Sequence, residues 1–194
     1  MKKALFQTIL TLGLVFYSLS SFAFQPRQLV DDARSQIGQT LYYDPAYTAL
    51  NYPLGDVPIL KGVCTDVIVR ALRHQGIDLQ QRIHEDMRNN FKQYPQKWSL
   101  KSTDKNIDHR RVPNIMTYFK RQGYTVQENQ YLPGDIVTWD LGNGLVHIGI
   151  ISNKVTLLSK TALVIHNIGY GTRENDILHE YKIIGHYRLP RTLQ

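Results

Sequence analysis

Apolar residues in the first half of the chain recur every three to four positions, which is the spacing of an amphipathic helix. Glycine or proline interrupts these stretches, as is typical of helix ends. The four predicted helices are residues 27–37, the stretch between Gly62 and Gly76, residues 84–94 and residues 114–122. Residues 39–62 are rich in tyrosine, proline and glycine and are predicted to form a long loop, and loops of such length commonly carry function.

Apolar residues in the second half occur in short runs separated by turn residues, which favours β-strands. The predicted strands are residues 135–140, 145–152, 161–168 and 182–189. Residues 141–144 contain two glycines and an asparagine and predict a hairpin between the first two strands. Helices that precede an antiparallel sheet indicate an α+β fold. No repeat or linker interrupts the pattern, so we expect a single domain over residues 24–194.

The first 23 residues have the composition of a secretory signal. Lys2 and Lys3 precede a mostly apolar run at residues 4–16, and small residues at Ser21 and Ala23 fit a signal-peptidase site. We therefore expect cleavage after Ala23 and a periplasmic or secreted protein without a membrane span. An uncleaved membrane anchor is the alternative, although the run is shorter than the roughly 20 apolar residues that span a bilayer.

The mature chain is moderately basic. Without Lys2 and Lys3 it has 21 basic and 16 acidic residues, which gives a formal charge of +5. In an exported protein this charge favours contact with anionic envelope polymers rather than nucleic acid, and simple solubility is the alternative explanation. We expect a monomer that needs no cofactor.

Cys64 is the only cysteine in the chain, so it cannot form an intramolecular disulfide. Exported proteins usually place cysteines in disulfides, which makes a lone thiol unusual. Unpaired N–H groups and the helix dipole at the start of a helix both favour the thiolate. The sequence therefore predicts a nucleophile with a lowered pKa, opposed in part by Asp66. The alternative is an inert thiol that packs as a small apolar side chain.

Two histidines on neighbouring predicted strands are candidates for a catalytic base and its orienting partner. Strand alternation places His147 and Gly149 on one face, and we expect this face to meet the helix of Cys64. His166 ends the next strand, where a polar side chain can orient the base of a cysteine–histidine system. We predict a hydrogen bond between His166 and His147, with Asn167 as the alternative third residue.

The order of five motifs resembles the NlpC-type branch of papain-like peptidases. The motifs are residues 37–42, Cys64 at the start of a helix, and residues 133–137, 146–150 and 164–166. Nearly the whole mature chain also resembles the YijF-like exported family of unknown function. The segments that carry this second resemblance are residues 62–66, 109–114, 166–169 and 185–188.

The first resemblance implies a papain-like fold, with N-terminal helices packed on a C-terminal antiparallel sheet. It also implies hydrolysis of amide bonds in peptidoglycan peptides by Cys64, His147 and His166. The sequence departs from the pattern at Val63, where that branch has an aspartate that helps to hold a free substrate amine. A non-catalytic cell-wall-binding domain and a thiol-dependent acyl or amide transferase, both on the same fold, are the alternative functions.

Four further residues are candidates for binding substrate. His109 and Arg110 lie in a basic segment that suits a carboxylate, because the arginine fork matches carboxylate geometry; a solvated loop is the alternative. Tyr42 is a candidate for lining the cleft, unless it merely packs within its loop, and Asn167 is a candidate for contacting substrate. We expect no metal site, since the sequence around His84 lacks the second histidine of a zinc-binding H-E-x-x-H helix.

Overall fold

The computed structural model describes residues 23–192. Residues 1–22, which carry most of the predicted signal segment, lie outside the described residues. The helices are α1 (Pro26–Arg34), α2 (Cys64–His74), α3 (Leu79–Asn89) and α4 (Val112–Arg121), with single 3₁₀ turns at Phe91–Gln93 and Asp108–Arg110. The strands are β1 (Tyr42–Tyr43), β2 (Lys61–Gly62), β3 (Ile136–Gly142), β4 (Leu145–Val155), β5 (Ala162–His166), β6 (Arg173–Asn175) and β7 (Lys182–Tyr187).

The four helices precede the main sheet, which confirms the predicted α+β class. β3 to β7 form an antiparallel sheet in the order β6-β5-β4-β3-β7, so β4 is its central strand. The predicted hairpin joins β3 to β4 where Gly142, Asn143 and Gly144 adopt positive φ, a conformation that glycine and asparagine tolerate. None of the helices within residues 23–192 has the length and apolar character that crossing a membrane requires.

The third helix begins five residues earlier than the apolar spacing predicts, at Leu79 instead of residue 84. Asp78 caps α3, because its carboxylate accepts a hydrogen bond from the Gln80 main-chain N–H at 3.1 Å. Such a cap satisfies an N–H group that the helix itself leaves unpaired. The predicted helix over residues 84–94 is therefore misplaced, and its second half falls at the 3₁₀ turn Phe91–Gln93.

The central sheet buries different side chains on its two faces. Three cross-strand partners, Ile136, Ile150 and Ile165, pack with the helices in what we call the helical core, which also contains Cys64 and Ile148. The opposite face carries a second cluster, called the outer cluster, formed by Val137, Trp139, Ile151, Val164, Ile177 and Leu178. Successive residues of β4 therefore point alternately into the helical core and the outer cluster.

Candidate active site

Cys64 is the first residue of α2, and buried polar contacts fix this end of the helix. The Asp66 carboxylate accepts a hydrogen bond from the Val63 main-chain N–H at 2.7 Å. The Arg110 guanidinium donates to both oxygens of that carboxylate at 3.0 Å. Gly62 fits closely against this pair, since a Cβ there would lie 3.0 Å from an Asp66 oxygen. These contacts hold the first turn of α2 in one position.

Main-chain N–H groups lie near the sulfur of Cys64. The N–H groups of Ile148, Thr65 and Cys64 itself act to lower the pKa of the thiol. The Ile148 N–H belongs to the peptide that joins this residue to His147, so the thiol lies beside the main chain of the predicted base. N–H groups in this position favour a thiolate or an oxyanion over a neutral group.

Burial of Cys64 outweighs the effect of these donors. The residue is 4% exposed, and loss of solvation raises the pKa of the thiol to about 12, with a smaller contribution from the Asp66 carboxylate. The sequence predicted a lowered pKa, and that prediction is wrong, because an argument from the helix start takes no account of burial. In this conformation the thiol is neutral at pH 7.

His147 and His166 form a buried hydrogen-bonded pair. Nε2 of His147 lies 3.0 Å from Nδ1 of His166, and each residue is 2% exposed. This confirms the predicted contact, while the catalytic roles of both residues stay predictions. Asn167 is fully buried and donates from its side-chain amide to the Gly62 carbonyl at 3.1 Å. The structure therefore gives Asn167 a role in holding the loop before Cys64, and its contact with substrate stays a prediction.

The histidine pair lies on the face of the sheet that points away from the helices. His147 is the register partner of Trp139, whose ring centroid lies 5.8 Å from that of the imidazole, and Trp139 belongs to the outer cluster. The expectation that His147 faces α2 is wrong, because Ile148 and Ile150 occupy that face. The thiol and the imidazole therefore approach the peptide between His147 and Ile148 from opposite sides of β4.

Burial keeps both imidazoles neutral. Desolvation lowers the pKa of His147 to about 3 and that of His166 to about 4, with smaller effects from His166 and from Arg173, respectively. Nε2 of His166 is buried without a hydrogen-bond partner among the described residues. A proton there leaves Nδ1 of His166 free to accept the Nε2–H of His147. No three His, Cys, Asp or Glu side chains within residues 23–192 are placed to share a metal ion.

His109 and Arg110 do not form a free carboxylate site. The Arg110 guanidinium binds Asp66 and also donates to the carbonyls of Ala46 and Asp44, at 3.1 and 3.2 Å. His109 is 1% exposed, and burial lowers the pKa of its ring to about 3. The chain itself takes the hydrogen bonds of Arg110, which lines the cleft beside Cys64, and it buries His109. The substrate-binding roles of both residues stay predictions.

A cleft of about 220 Å³ opens beside the thiol. We call it the Cys64 cleft, and its lining includes Tyr43, Val63, Cys64, Trp98, Arg111 and residues 144–146. Tyr42, the predicted lining residue, is 61% exposed and lies outside it. Burial raises the pKa of Tyr43 to about 12, with a smaller effect from the nearby Cys64. The lining therefore contains Tyr43 in place of Tyr42, because successive residues of β1 point in opposite directions. A contact of Tyr42 with substrate stays a prediction.

Residues 30–189 match the model of a family described as Domain of unknown function (DUF1287). The chain belongs to this family. The DUF1287 match covers the Cys64 cleft and the histidine pair. A protein of Escherichia coli (strain K12), called uncharacterized protein YijF, is 55% identical over 164 residues, which are 82% of this chain and 80% of that protein. The resemblance to the YijF-like family is thereby confirmed. No solved structure matches the chain.

The buried thiol of this DUF1287 family member predicts a loss of stability in alkaline solution. The pKa of Cys64 is raised to about 12 from an ordinary value of 9.0, so the unfolded chain releases this proton at a lower pH than the folded protein does. The stabilisation is complete below pH 9.0 and is lost as the pH rises toward 12, by up to about 1.4 kcal/mol per pH unit. Urea unfolding across this range measures the slope.

The matched control for this measurement is Cys64→Ala, which removes the titrating group. We expect its free energy of unfolding to decline less steeply above pH 9.0 than that of the wild-type DUF1287 protein. Equal slopes for the two proteins would contradict a thiol that is held neutral by burial.

Proposed function

We propose that this member of the DUF1287 family is an exported cysteine hydrolase that cleaves amide bonds in peptidoglycan peptides. In this proposal the fold is papain-like, of the NlpC type. Cys64 is the nucleophile, His147 is the general base and His166 is its positioning residue. The observation that supports the proposal most is the buried hydrogen bond between the two histidines, beside the peptide whose N–H contacts the thiol.

The cost of burying this pair supports a functional role. Two imidazoles without solvent, one of them with an unpartnered ring nitrogen, destabilise a core relative to apolar side chains of similar size. Titratable groups with strongly shifted pKa values concentrate at functional sites. In this chain they adjoin the only cysteine, which is itself shifted.

The proposed reaction starts from a neutral thiol and a neutral imidazole. As the Cys64 sulfur attacks the substrate carbonyl carbon, the thiol proton passes to Nδ1 of His147 and a tetrahedral oxyanion forms. N–H groups at the start of α2 stabilise this oxyanion. The C–N bond then breaks, the amine leaves with the proton from His147, and a thioester remains on Cys64.

Hydrolysis of the thioester completes the proposed cycle. Water attacks the thioester carbonyl while His147 takes one of its protons, and that proton returns to the sulfur as the carboxylic acid leaves. His166 accepts the Nε2–H of His147 throughout, which keeps Nδ1 unprotonated at the start and stabilises the imidazolium that forms. Because the thiol and the imidazole lie on opposite sides of β4 in this structure, the proposal requires the start of β4 to rearrange so that Nδ1 of His147 reaches the sulfur.

Export and substrate class rest on the sequence. The signal-like residues 1–23 favour an envelope location, and the charge of +5 on the remaining chain favours contact with an anionic polymer. The order of motifs adds the resemblance to peptidases that cut peptidoglycan stem peptides. N-terminal analysis of the exported protein tests the location, and we expect Phe24 as the first residue.

A non-catalytic cell-wall-binding domain is the second candidate function. It is favoured by the raised pKa of Cys64 and by the position of His147 on the sheet face opposite the helices. Incubation with muropeptides followed by mass spectrometry separates the possibilities. Hydrolysis produces a new free carboxylate, transfer by the same thiol produces a new amide or ester, and a binding domain leaves the muropeptides intact.

His166→Ala is expected to lower kcat by about 10- to 100-fold and to leave KM nearly unchanged, because His166 acts through His147 without touching substrate. His166→Gln keeps an acceptor for the Nε2–H of His147 and is expected to recover part of the loss. In the alanine variant the acidic limb of the pH–rate profile should also move, since the base has lost its partner. Steady-state kinetics across pH measure both effects.

The control for this series is His179→Ala, at an exposed position, which should keep the wild-type profile. Equal losses in the alanine and glutamine variants, with an unchanged pH profile, would show that His166 supports only the fold.

A further inference from the structure

The Cys64 cleft contains an arginine, Arg111, with a guanidinium nitrogen that no other described residue binds. The guanidinium of Arg111 stacks on the ring of Trp98, 4.2 Å from the ring centroid, and Trp98 is 48% exposed. Nη1 of Arg111 is buried and has no hydrogen-bond partner among the described residues. A buried donor without an acceptor is costly, so a ligand that supplies an acceptor gains binding energy there.

Within residues 23–192, the charge of Arg111 is also not neutralised by a direct ion pair. Burial lowers the pKa of Arg111, and the charges of Asp108 and Asp104 act against this effect from a distance. Asp108 contacts His84 at 3.1 Å, and Asp104 accepts the hydroxyl of Tyr47 at 2.9 Å. Among the described residues that line the cleft there is no aspartate or glutamate. The cleft is therefore positively charged and partly aromatic.

The neighbouring Arg110, in contrast to Arg111, has hydrogen-bond acceptors for its guanidinium group. Its guanidinium is held by Asp66 and by two main-chain carbonyls, and the residue is 7% exposed. Arg110 stabilises the start of α2. Both arginines line the cleft, but the guanidinium of Arg111 extends over Trp98.

We propose that Arg111 and Trp98 form a subsite for a carboxylate group on the substrate, next to the amide bond that Cys64 attacks. This inference rests on the proposed function and names its substrate class, an acyl peptide with a free carboxylate near the scissile bond. The arginine fork donates two parallel hydrogen bonds to such a group. The Trp98 ring supports the flat face of the guanidinium and limits its motion.

The same lining disfavours a free amine in this cleft. An ammonium group needs a carboxylate or several carbonyl oxygens to replace its hydration. Val63 offers no acceptor from its side chain, and the Asp66 carboxylate is already paired with Arg110. A positively charged Arg111 adds repulsion. The cleft is therefore expected to select substrates by a carboxylate group and not by a free amine.

Calorimetric binding to the mature Cys64→Ala protein tests the subsite, because this variant does not consume the ligand. The probes are the stem tripeptide of peptidoglycan with its free glutamate α-carboxylate, and the same tripeptide with a carboxamide there. We expect the carboxylate form to bind about 10- to 100-fold more tightly. Adding Arg111→Gln should remove the difference, and Arg111→Lys should keep part of it.

Two further variants serve as controls for this binding experiment. Lys105→Gln removes one exposed positive charge outside the cleft and is expected to keep the full difference between the two peptides. Trp98→Ala, at an exposed position, weakens the support of Arg111 without changing its charge and should reduce the difference. Thermal unfolding of each variant checks that the fold is retained.

The possible outcomes distinguish the subsite from the proposed hydrolase. Equal binding of both tripeptides to the Cys64→Ala protein, or binding of neither, overturns the subsite. Cleavage is measured separately with the wild-type protein. Cleavage of both peptides at the same rate would contradict the proposed subsite and would support the proposed hydrolase activity. Binding that depends on Arg111, without any cleavage, would support the proposed subsite and contradict the proposed hydrolase activity.

Discussion

Cys64→Ala is expected to abolish turnover of muropeptides, with kcat/KM at least about 10⁴-fold below that of the wild-type protein. Without the sulfur no thioester forms, and His147 has no thiol proton to accept. The fold is expected to persist, because the substitution removes a single buried atom from the helical core. Quantitative mass spectrometry of the products measures the loss, and circular dichroism checks the fold.

Cys64→Ser is the companion variant for this experiment. It replaces the thiol with a hydroxyl group of similar size, but a hydroxyl is a much weaker nucleophile than a thiol, so turnover should also be lost. Alkylation of the wild-type thiol by iodoacetamide should be slow near neutral pH and faster in alkaline solution, because burial raises the pKa of Cys64 to about 12. Wild-type turnover by Cys64→Ala would show that another group attacks the substrate.

Arg110→Ala is expected to destabilise the folded protein by about 3–5 kcal/mol, because it leaves the Asp66 carboxylate buried and unpaired. That carboxylate also accepts the Val63 N–H at the start of α2, so the variant should loosen the turn that positions Cys64. An unpaired charge there would further disfavour the thiolate. Urea unfolding of the mature protein measures the loss of stability.

Arg121→Ala is the matched control for this prediction. It breaks an ion pair with Asp86 at 2.8 Å in which the arginine side chain is 30% exposed, and we expect a loss below about 1 kcal/mol. Combining Arg110→Ala with Asp66→Asn removes the unpaired charge and should recover part of the stability. A loss for Arg110→Ala no larger than that for the control would contradict the structural role of the pair.

The elements with strong local signals were predictable from the sequence. Glycines bound α2 on both sides, and residues 141–144 carry the turn chemistry of the β3–β4 hairpin. The start of α3 depends on one capping carboxylate, Asp78, which the spacing of apolar residues does not register. β6 was missed because its three residues, Arg173–Asn175, are polar and lie at the edge of the sheet.

Contacts between residues on adjacent strands could be predicted from the sequence. Contacts that depend on the tertiary packing of distant segments could not. The pairing of His147 with His166 follows from adjacent strands. Both faces of β5 carry apolar residues, so the sequence did not indicate which face of the strand meets the helices. The sequence also offers no sign that Arg110 is neutralised, since its partner Asp66 lies 44 positions earlier. Among the described residues, the arginine of the cleft that has an unpartnered guanidinium nitrogen is instead Arg111, from the same basic segment.

Digestion of purified muropeptides in water enriched in oxygen-18 tests the central claim most directly. Hydrolysis through a thioester places a heavy oxygen in the new carboxylate, and mass spectrometry detects it. We expect labelled products with the mature wild-type protein and none with Cys64→Ala. Intact muropeptides after incubation with the wild-type protein would contradict hydrolysis, and labelled products from Cys64→Ala would contradict the role of Cys64.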